Sequence, residues 1–229
     1  MRYRWLLFDA DGTLFDYDNA ERLALEATLA RLDYTMARET HALYREFNSA
    51  LWRQLEAGTV TPETLRWKRF ESLFDALDLP ISQARDAGEH YLVELANHGT
   101  LFPGADEIVR ACAERARLAI ITNGLADVQR KRLGDSPIAG LFDALTISGE
   151  LGIAKPDRRI IDHTLAVWND PPRDQVLIIG DSLSSDIQGG INAGIATCWL
   201  SPDGAAAPED GPQPKHTISR LSEVLNLLA

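Results

Sequence analysis

Four short segments of the chain concentrate groups that can grip a metal ion, hold a phosphate or accept one covalently. They are Asp9-Ala10-Asp11-Gly12-Thr13, Thr122-Asn123-Gly124, Lys155-Pro156, and Gly180-Asp181-Ser182 with Asp186 just behind it. Taken singly, each is ordinary. A D-x-D pair is commonly a turn or a cap, Thr-Asn-Gly after an apolar run is a turn, and a lysine before proline is usually solvated. Their order and placement, each directly after an apolar run or at a helix start, is more than turn chemistry explains. Three carboxylates brought to one edge, Asp9, Asp11 and Asp181, repel each other unless a cation compensates. A few hard oxygen ligands favour Mg2+, which keeps several waters and shares a substrate phosphate. Lys155 supplies a second positive charge.

The chemistry open to this set is phosphoryl transfer. A carboxylate such as Asp9 can attack phosphorus to form an aspartyl-phosphate. The departing alkoxide needs a proton, which a second carboxyl two residues on, Asp11, can supply and later recover from the attacking water. Thr122, with the main-chain N–H groups around Asn123 and Gly124 and the Lys155 ammonium, can bind the phosphoryl oxygens, where transition-state charge gathers.

Those groups must be positioned by the elements before them. Trp5–Phe8, and the runs at 118–122, 144–148, 176–180 and 195–200, are continuous apolar stretches bounded by turn signals, as in strands buried on both faces of a parallel sheet. Helix-like stretches at 104–115, 125–133, 157–168 and 185–192 alternate with them. The pattern predicts an α/β fold, a doubly wound (Rossmann-like) parallel sheet. Residues 16–97 break the rhythm. They carry apolar residues at helical spacing, such as Leu25, Leu29 and Leu32, then Phe70, Leu73, Phe74 and Leu77, and a good helix start at Thr61-Pro62-Glu63. The expected organisation is a catalytic core of 1–15 and 98–229 with an inserted all-helical cap domain of four or five helices at 16–97. Residues 201–216, rich in Pro, Gly and Ala, read as a surface loop, and a last helix is expected at about 219–228.

Composition narrows the partners. A formal charge of −11 over 229 residues disfavours a counterion-displacing grip on a nucleic acid polymer and docking on an anionic membrane. A small phosphorylated metabolite remains compatible, because a few local cations or a metal can hold one phosphate. Two cysteines do not make a disulfide framework, and the first apolar run is too short for a signal-peptide core or a membrane span. The expectation is a cytoplasmic protein, monomer or homodimer. The five histidines show no metal-ligand spacing and read as surface or structural.

D-A-D-G-T-L-F, I-I-T-N-G, G-I-A-K-P and G-D-S-L-S-S-D-I, in this order, resemble the four signature motifs of the haloacid dehalogenase superfamily. The resemblance spans the whole chain, including a helical cap inserted after the first motif. It implies a Mg2+-dependent phosphohydrolase with Asp9 as nucleophile, Asp11 as general acid/base, Thr122 as the phosphate-binding hydroxyl and Lys155 as the motif lysine. It further implies Asp181 as a metal ligand alongside Asp9 and the main-chain carbonyl of Asp11. Asp186 would orient metal waters or the lysine. Asp11 also argues against dehalogenation, since a halide leaves without a proton.

The F-D-A-D-G-T-L-F-D-Y-D opening, L-F-P-G-A, G-E-L-G-I-A-K-P and G-G-I-N-A-G-I-A-T-C-W-L are similar to the bacterial pyrimidine 5′-nucleotidases, with Gly12 a departure where some of that group carry Glu. This implies hydrolysis of pyrimidine nucleoside 5′-monophosphates. The alternatives are a sugar-phosphate or phosphoglycolate phosphatase on the same core and, in a different class, a phosphorylatable signalling module, against which Asp11 speaks. The cap is expected to read the leaving group. Phe15 and Tyr17, just past the catalytic turn, are candidates to stack on a base, with packing under the hinge as the other reading for Phe15. Trp52 and Trp67 read as cap core, and Arg66, Lys68 and Arg69 as a solvated helix face with phosphate or ribose contact as the alternative.

Overall fold

The apolar runs form a parallel sheet whose two faces are both covered. The computed structural model describes residues 2–56 and 58–228. Strands β1 (Trp5–Phe8), β2 (Arg117–Thr122), β3 (Ala144–Ile147), β4 (Val176–Gly180), β5 (Ala196–Leu200) and β6 (His216–Ile218) make one sheet in the order β3-β2-β1-β4-β5-β6, with every pairing parallel. Alternate side chains go to opposite layers. Leu6, Phe8, Ile120 and Ile179 pack with Val109, Cys112 and Val224, whereas Leu7, Ala119, Ile121 and Ile178 pack with Ile160, Ile161 and Leu165. Each fully buried aliphatic side chain contributes about 2 kcal/mol of hydrophobic stabilisation. This double burial is why these strands read as unbroken apolar runs rather than as alternating ones.

The flanking helices of this unit are α5 (Ala105–Ala113), α6 (Ala126–Gly134), α7 (Ser148–Leu151), α8 (Arg158–Ala166), α9 (Gln188–Ala193) and α10 (Val224–Leu227), to be numbered after the four of the insertion. Two expectations need correction. His216–Ile218 pairs with Cys198–Leu200 as an edge strand, although it was expected as a loop end and a helix lead-in. Three residues carry too little periodicity to announce a strand. The expected last helix shrinks to a 3-10 turn at Leu221–Glu223 and the single turn α10.

Compact units divide the chain into Met1–Tyr17 with Thr100–Ala229, and Asp18–Gly99. The second is helical: α1 (Tyr17–Ala30, entering from the hinge), α2 (Arg38–Glu56), α3 (Pro62–Ala76) and α4 (Ala84–Asn97). Thr61 caps α3 by accepting from the Thr64 N–H, with Pro62 at the first helical position. Tyr44, Phe70 and Tyr91 form the aromatic centre of this bundle, with ring centroids 5.3–5.6 Å apart. Arg69 is not on a solvated face. It is 1% exposed, stacks 4.7 Å over Tyr91 and donates to Asn48, which donates to the buried Glu21. Lys68 does stay outside, paired with Glu71, while Arg66 is half-buried and paired with Glu89.

Candidate active site

In an open α/β sheet, the crevice opens at the carboxyl ends of the strands where the chain order reverses direction. Here that switch point lies between β1 and β4. Phe8 and Ile179 are register partners, and the Asp9 N–H still donates to the Ile179 carbonyl at 2.9 Å. Asp9 and Asp181, one residue past each strand, are therefore delivered to adjacent positions. Asp186 arrives from a π-helical turn at Leu183–Ile187, capped by Ser182, whose hydroxyl accepts from the Ser185 N–H at 3.2 Å. Such turns re-aim a side chain within a helix start. Asp9, Asp181 and Asp186 each offer an oxygen, and these oxygens lie within 4.8 Å of one another.

Lys155 holds this cluster together. Its Nζ donates to Asp9 Oδ1 at 2.6 Å, to Asp186 Oδ1 at 2.6 Å and to the Ile121 carbonyl at 2.8 Å, so all three ammonium hydrogens are used inside the protein. Burial opposes the charge on Lys155, but the carboxylates of Asp186 and Asp9 outweigh it and push the ammonium above its ordinary range. Burial lifts the Asp9 carboxyl well above the usual carboxylate range; Lys155 pulls it back, and Asp186 and Asp181 push it further up. Asp181 lies at the open rim, yet the protein crowding one side of it strips hydration and, with Asp186 alongside, lifts its carboxyl to about 6.

The remaining expected site residues divide by what they touch. Thr122, the last residue of β2, is 1% exposed at the same strand edge. The Asn123 side chain is committed to the backbone of Lys155, accepting from its N–H and donating to its carbonyl, both at 2.8 Å, and so ties the β2 turn to the lysine loop. The Gly124 N–H donates to Ser148 Oγ at 3.1 Å and is engaged there rather than open to a phosphate. The other oxygen of Asp186 accepts from the Ser182 N–H at 3.0 Å. Gly12 has φ +84°, and a Cβ there would fall 2.4 Å from Asp181 Oδ2, so a bare backbone at this turn suits the approach of that carboxylate.

Asp11 is not in the carboxylate cluster. Its Oδ1 accepts from Arg132 Nη1 at 2.5 Å and its Oδ2 from Gln129 Nε2 at 2.6 Å, both on α6. Phe15 is 1% exposed within the core, its ring 5.0 Å under the Arg132 guanidinium, so it packs the hinge and presents no face to a base. Tyr17 is half-buried, 5.9 Å from the same guanidinium. Gln129 and Arg132 escaped sequence reading because they sit in A-D-V-Q-R-K-R-L, where Arg130 and Lys131 look equivalent. Only the i, i+3 spacing of Gln129 and Arg132 hinted at a shared face.

Comparison with known proteins gives the family. Residues 3–194 match the family model of the haloacid dehalogenase-like hydrolases. The pyrimidine 5′-nucleotidase YjjG of Escherichia coli is 37% identical over 228 residues, covering 100% of this chain and 99% of that protein. The pyrimidine 5′-nucleotidase PynA of Streptococcus pneumoniae is 34% identical, covering 88% and 85%. The crystal structure of YfnB from Bacillus subtilis bound to magnesium superposes with a TM-score of 0.91 at 31% identity, covering 100% of this chain and 99% of that one. With its acidic cluster at the switch point of the sheet and a family match over most of its length, the chain belongs to the haloacid dehalogenase-like hydrolases.

Proposed function

We propose that the protein is a Mg2+-dependent phosphatase that hydrolyses small phosphomonoesters through an aspartyl-phosphate on Asp9, and that pyrimidine nucleoside 5′-monophosphates are its substrates. The observation that carries this reading is the Lys155 ammonium held 2.6 Å from both Asp9 and Asp186, with Asp181 beside them and Asp11 held apart. The nucleotide preference is supported by the names of the two nucleotidases that are 37% and 34% identical.

The donor set fits the metal. Three carboxylates against one ammonium leave a formal charge of −2 in a largely buried cluster, which one divalent cation balances, and all the free donors are hard oxygens. Asp9 and Asp181 would hold the ion, with the main-chain carbonyl of Asp11 as the ligand that family membership implies. Asp186, both of whose oxygens are engaged by Lys155 and the Ser182 N–H, keeps the lysine in place. When bound, the cation offsets phosphoryl charge so that an anionic ester can approach an anionic nucleophile.

The chain's own residues account for the rest. The Asp9 carboxylate attacks phosphorus, and the ester P–O bond breaks. Asp11 passes its proton to the departing alkoxide, and Thr122 binds a phosphoryl oxygen. Asp11 then takes a proton from water as that water attacks phosphorus. The acyl-phosphate bond to Asp9 breaks, inorganic phosphate leaves, and both aspartates return to their starting state.

The test is phosphate release, with Mg2+, across nucleoside 5′-monophosphates, sugar phosphates and phosphoglycolate. Strong turnover of UMP or dTMP with none on phosphoglycolate upholds the nucleotidase reading; the reverse pattern replaces it. Asp9→Asn is expected to lower phosphate release from every ester by about a thousandfold or more while the circular dichroism spectrum stays unchanged. Parent-rate hydrolysis of p-nitrophenyl phosphate by this variant would remove Asp9 as nucleophile. Stable labelling of the parent protein without release would favour a signalling module.

A further inference from the structure

We propose that Arg132 and Gln129 are positioning residues for Asp11, and that they act on the proton delivered to the leaving group; this rests on the phosphatase reading above. The observation is an expensive arrangement with one visible beneficiary. Arg132 is among the largest fully buried side chains, with 0% side-chain exposure. Its Nη1 meets Asp11, while Nε and Nη2 find no hydrogen-bond partner among the described residues. Its guanidinium lies 5.0 Å from the centroid of the Phe15 ring and 5.9 Å from that of Tyr17. A buried guanidinium with two unmet donors is costly, and an apolar side chain of similar volume commonly gives a more stable core. Stability does not account for the arginine; its effect on Asp11 does.

Together the two side chains hold the whole carboxyl group. Gln129 takes one oxygen and Arg132 the other, from one face of α6, so the plane and direction of the carboxyl group are both fixed. The clamp reaches back to the β2 turn. A Cβ on Gly124 would lie 2.7 Å from Gln129 Nε2, so the bare backbone at 124 is what lets the amide through to Asp11. The same turn carries Thr122. The residue that binds the phosphoryl oxygens and the residue that protonates the leaving group are thus referenced to one helix start.

A general acid contributes only where the leaving group needs a proton. Nitrophenolate departs without one and an alkoxide does not, so damage to the clamp should separate aryl from alkyl esters in kcat/KM, which covers only the steps up to leaving-group departure; the base role of Asp11 in the second step is common to every ester and enters kcat alone. The experiment measures kcat and KM of the Mg2+-loaded full-length protein on p-nitrophenyl phosphate, on UMP and on β-glycerophosphate. The variants are Arg132→Met, Arg132→Lys, Gln129→Leu, and Arg132→Met combined with Asp11→Asn. Arg132→Met is expected to lower kcat/KM on the alkyl esters at least tenfold more than on the aryl ester. Gln129→Leu should shift the ratio in the same direction by less, and Arg132→Lys should recover part of it. In the Asp11→Asn background the Arg132 substitution should leave the alkyl-to-aryl ratio where Asp11→Asn alone puts it.

Equal losses of kcat/KM on all three esters, or no loss on any, overturn the inference while the phosphatase reading stands. A wild-type protein inert on every ester overturns both. If Arg132→Met does not fold, Gln129→Leu and Arg132→Lys decide the matter, and an unchanged ratio in both overturns the proposal.

Discussion

Lys155 is the residue on which the site's electrostatics turn. Its three donors are spent on Asp9, Asp186 and the Ile121 carbonyl, and nothing of it faces solvent. The sequence reading expects of it both a compensating positive charge and a phosphate contact; its contacts in the structure go to the first of these, as the cation that lets two buried carboxylates coexist. Removing one partner of a buried ion pair costs about 3–5 kcal/mol, because the charge left behind has lost its compensation. Lys155→Met is therefore expected to destabilise the metal-free protein by about 3 kcal/mol in urea unfolding, in addition to abolishing turnover. A variant as stable as the parent would show that Asp9 and Asp186 do not depend on the ammonium. Asp9, Asp11, Thr122, Lys155 and Asp181 are legible as chemistry-bearing residues because each stands at the end of an apolar run, just past one, or, for Lys155, before a helix start. Arg132 and Gln129 were not, since burial of a charged helix residue leaves no mark in composition.

At the scale of elements, glycines decide how closely helices approach the strands. Gly180 ends β4, and a Cβ there would lie 2.2 Å from Asp186 Oδ2. Gly190, in α9, would place a Cβ 2.5 Å from Thr197 Cγ2 and 2.6 Å from Ile178 Cγ2, against β5 and β4. Both substitutions overpack, at a cost of about 1–3 kcal/mol, but only one of them strikes the site. Gly180→Ala should lower both the thermal midpoint and kcat, the latter at least tenfold, by dislodging Asp186 from Lys155. Gly190→Ala should lower the midpoint while keeping most of kcat. Equal kcat losses in the two variants would separate Asp186 from the chemistry. The five long strands and the helices between them were readable because double burial imposes continuous apolar runs. Edge strand β6 was not, being three residues that borrow order from β5. The interior place of Arg69 was equally hidden, because a cation–π contact with Tyr91 and a bond to Asn48 depend on the tertiary packing of α2, α3 and α4.

The whole molecule carries a formal charge of −11, and its site adds a local excess of three carboxylates over one ammonium. A folded state that gathers like charges is one that a cation should stabilise, since the unfolded chain disperses them. Binding to the native state alone contributes RT ln(1 + [L]/Kd), about 2.7 kcal/mol at a hundredfold excess over Kd. For a chain of this size each kcal/mol moves the midpoint by about 2–4 °C, so saturating Mg2+ should raise it by about 5–10 °C. Chelator should remove both the shift and the turnover, and Mg2+ should restore both. Asp181→Asn separates this effect from nonspecific salt screening. Deleting one of the mutually repelling carboxylates should leave the metal-free midpoint equal to or above the parent's, because burial and Asp186 already hold Asp181 up at about 6 and its ionised form is the strained one. The same variant should lose the Mg2+-dependent rise. A Mg2+ shift in Asp181→Asn as large as the parent's would mean that the ion stabilises the fold from somewhere else, and the switch-point cluster would no longer account for the metal dependence.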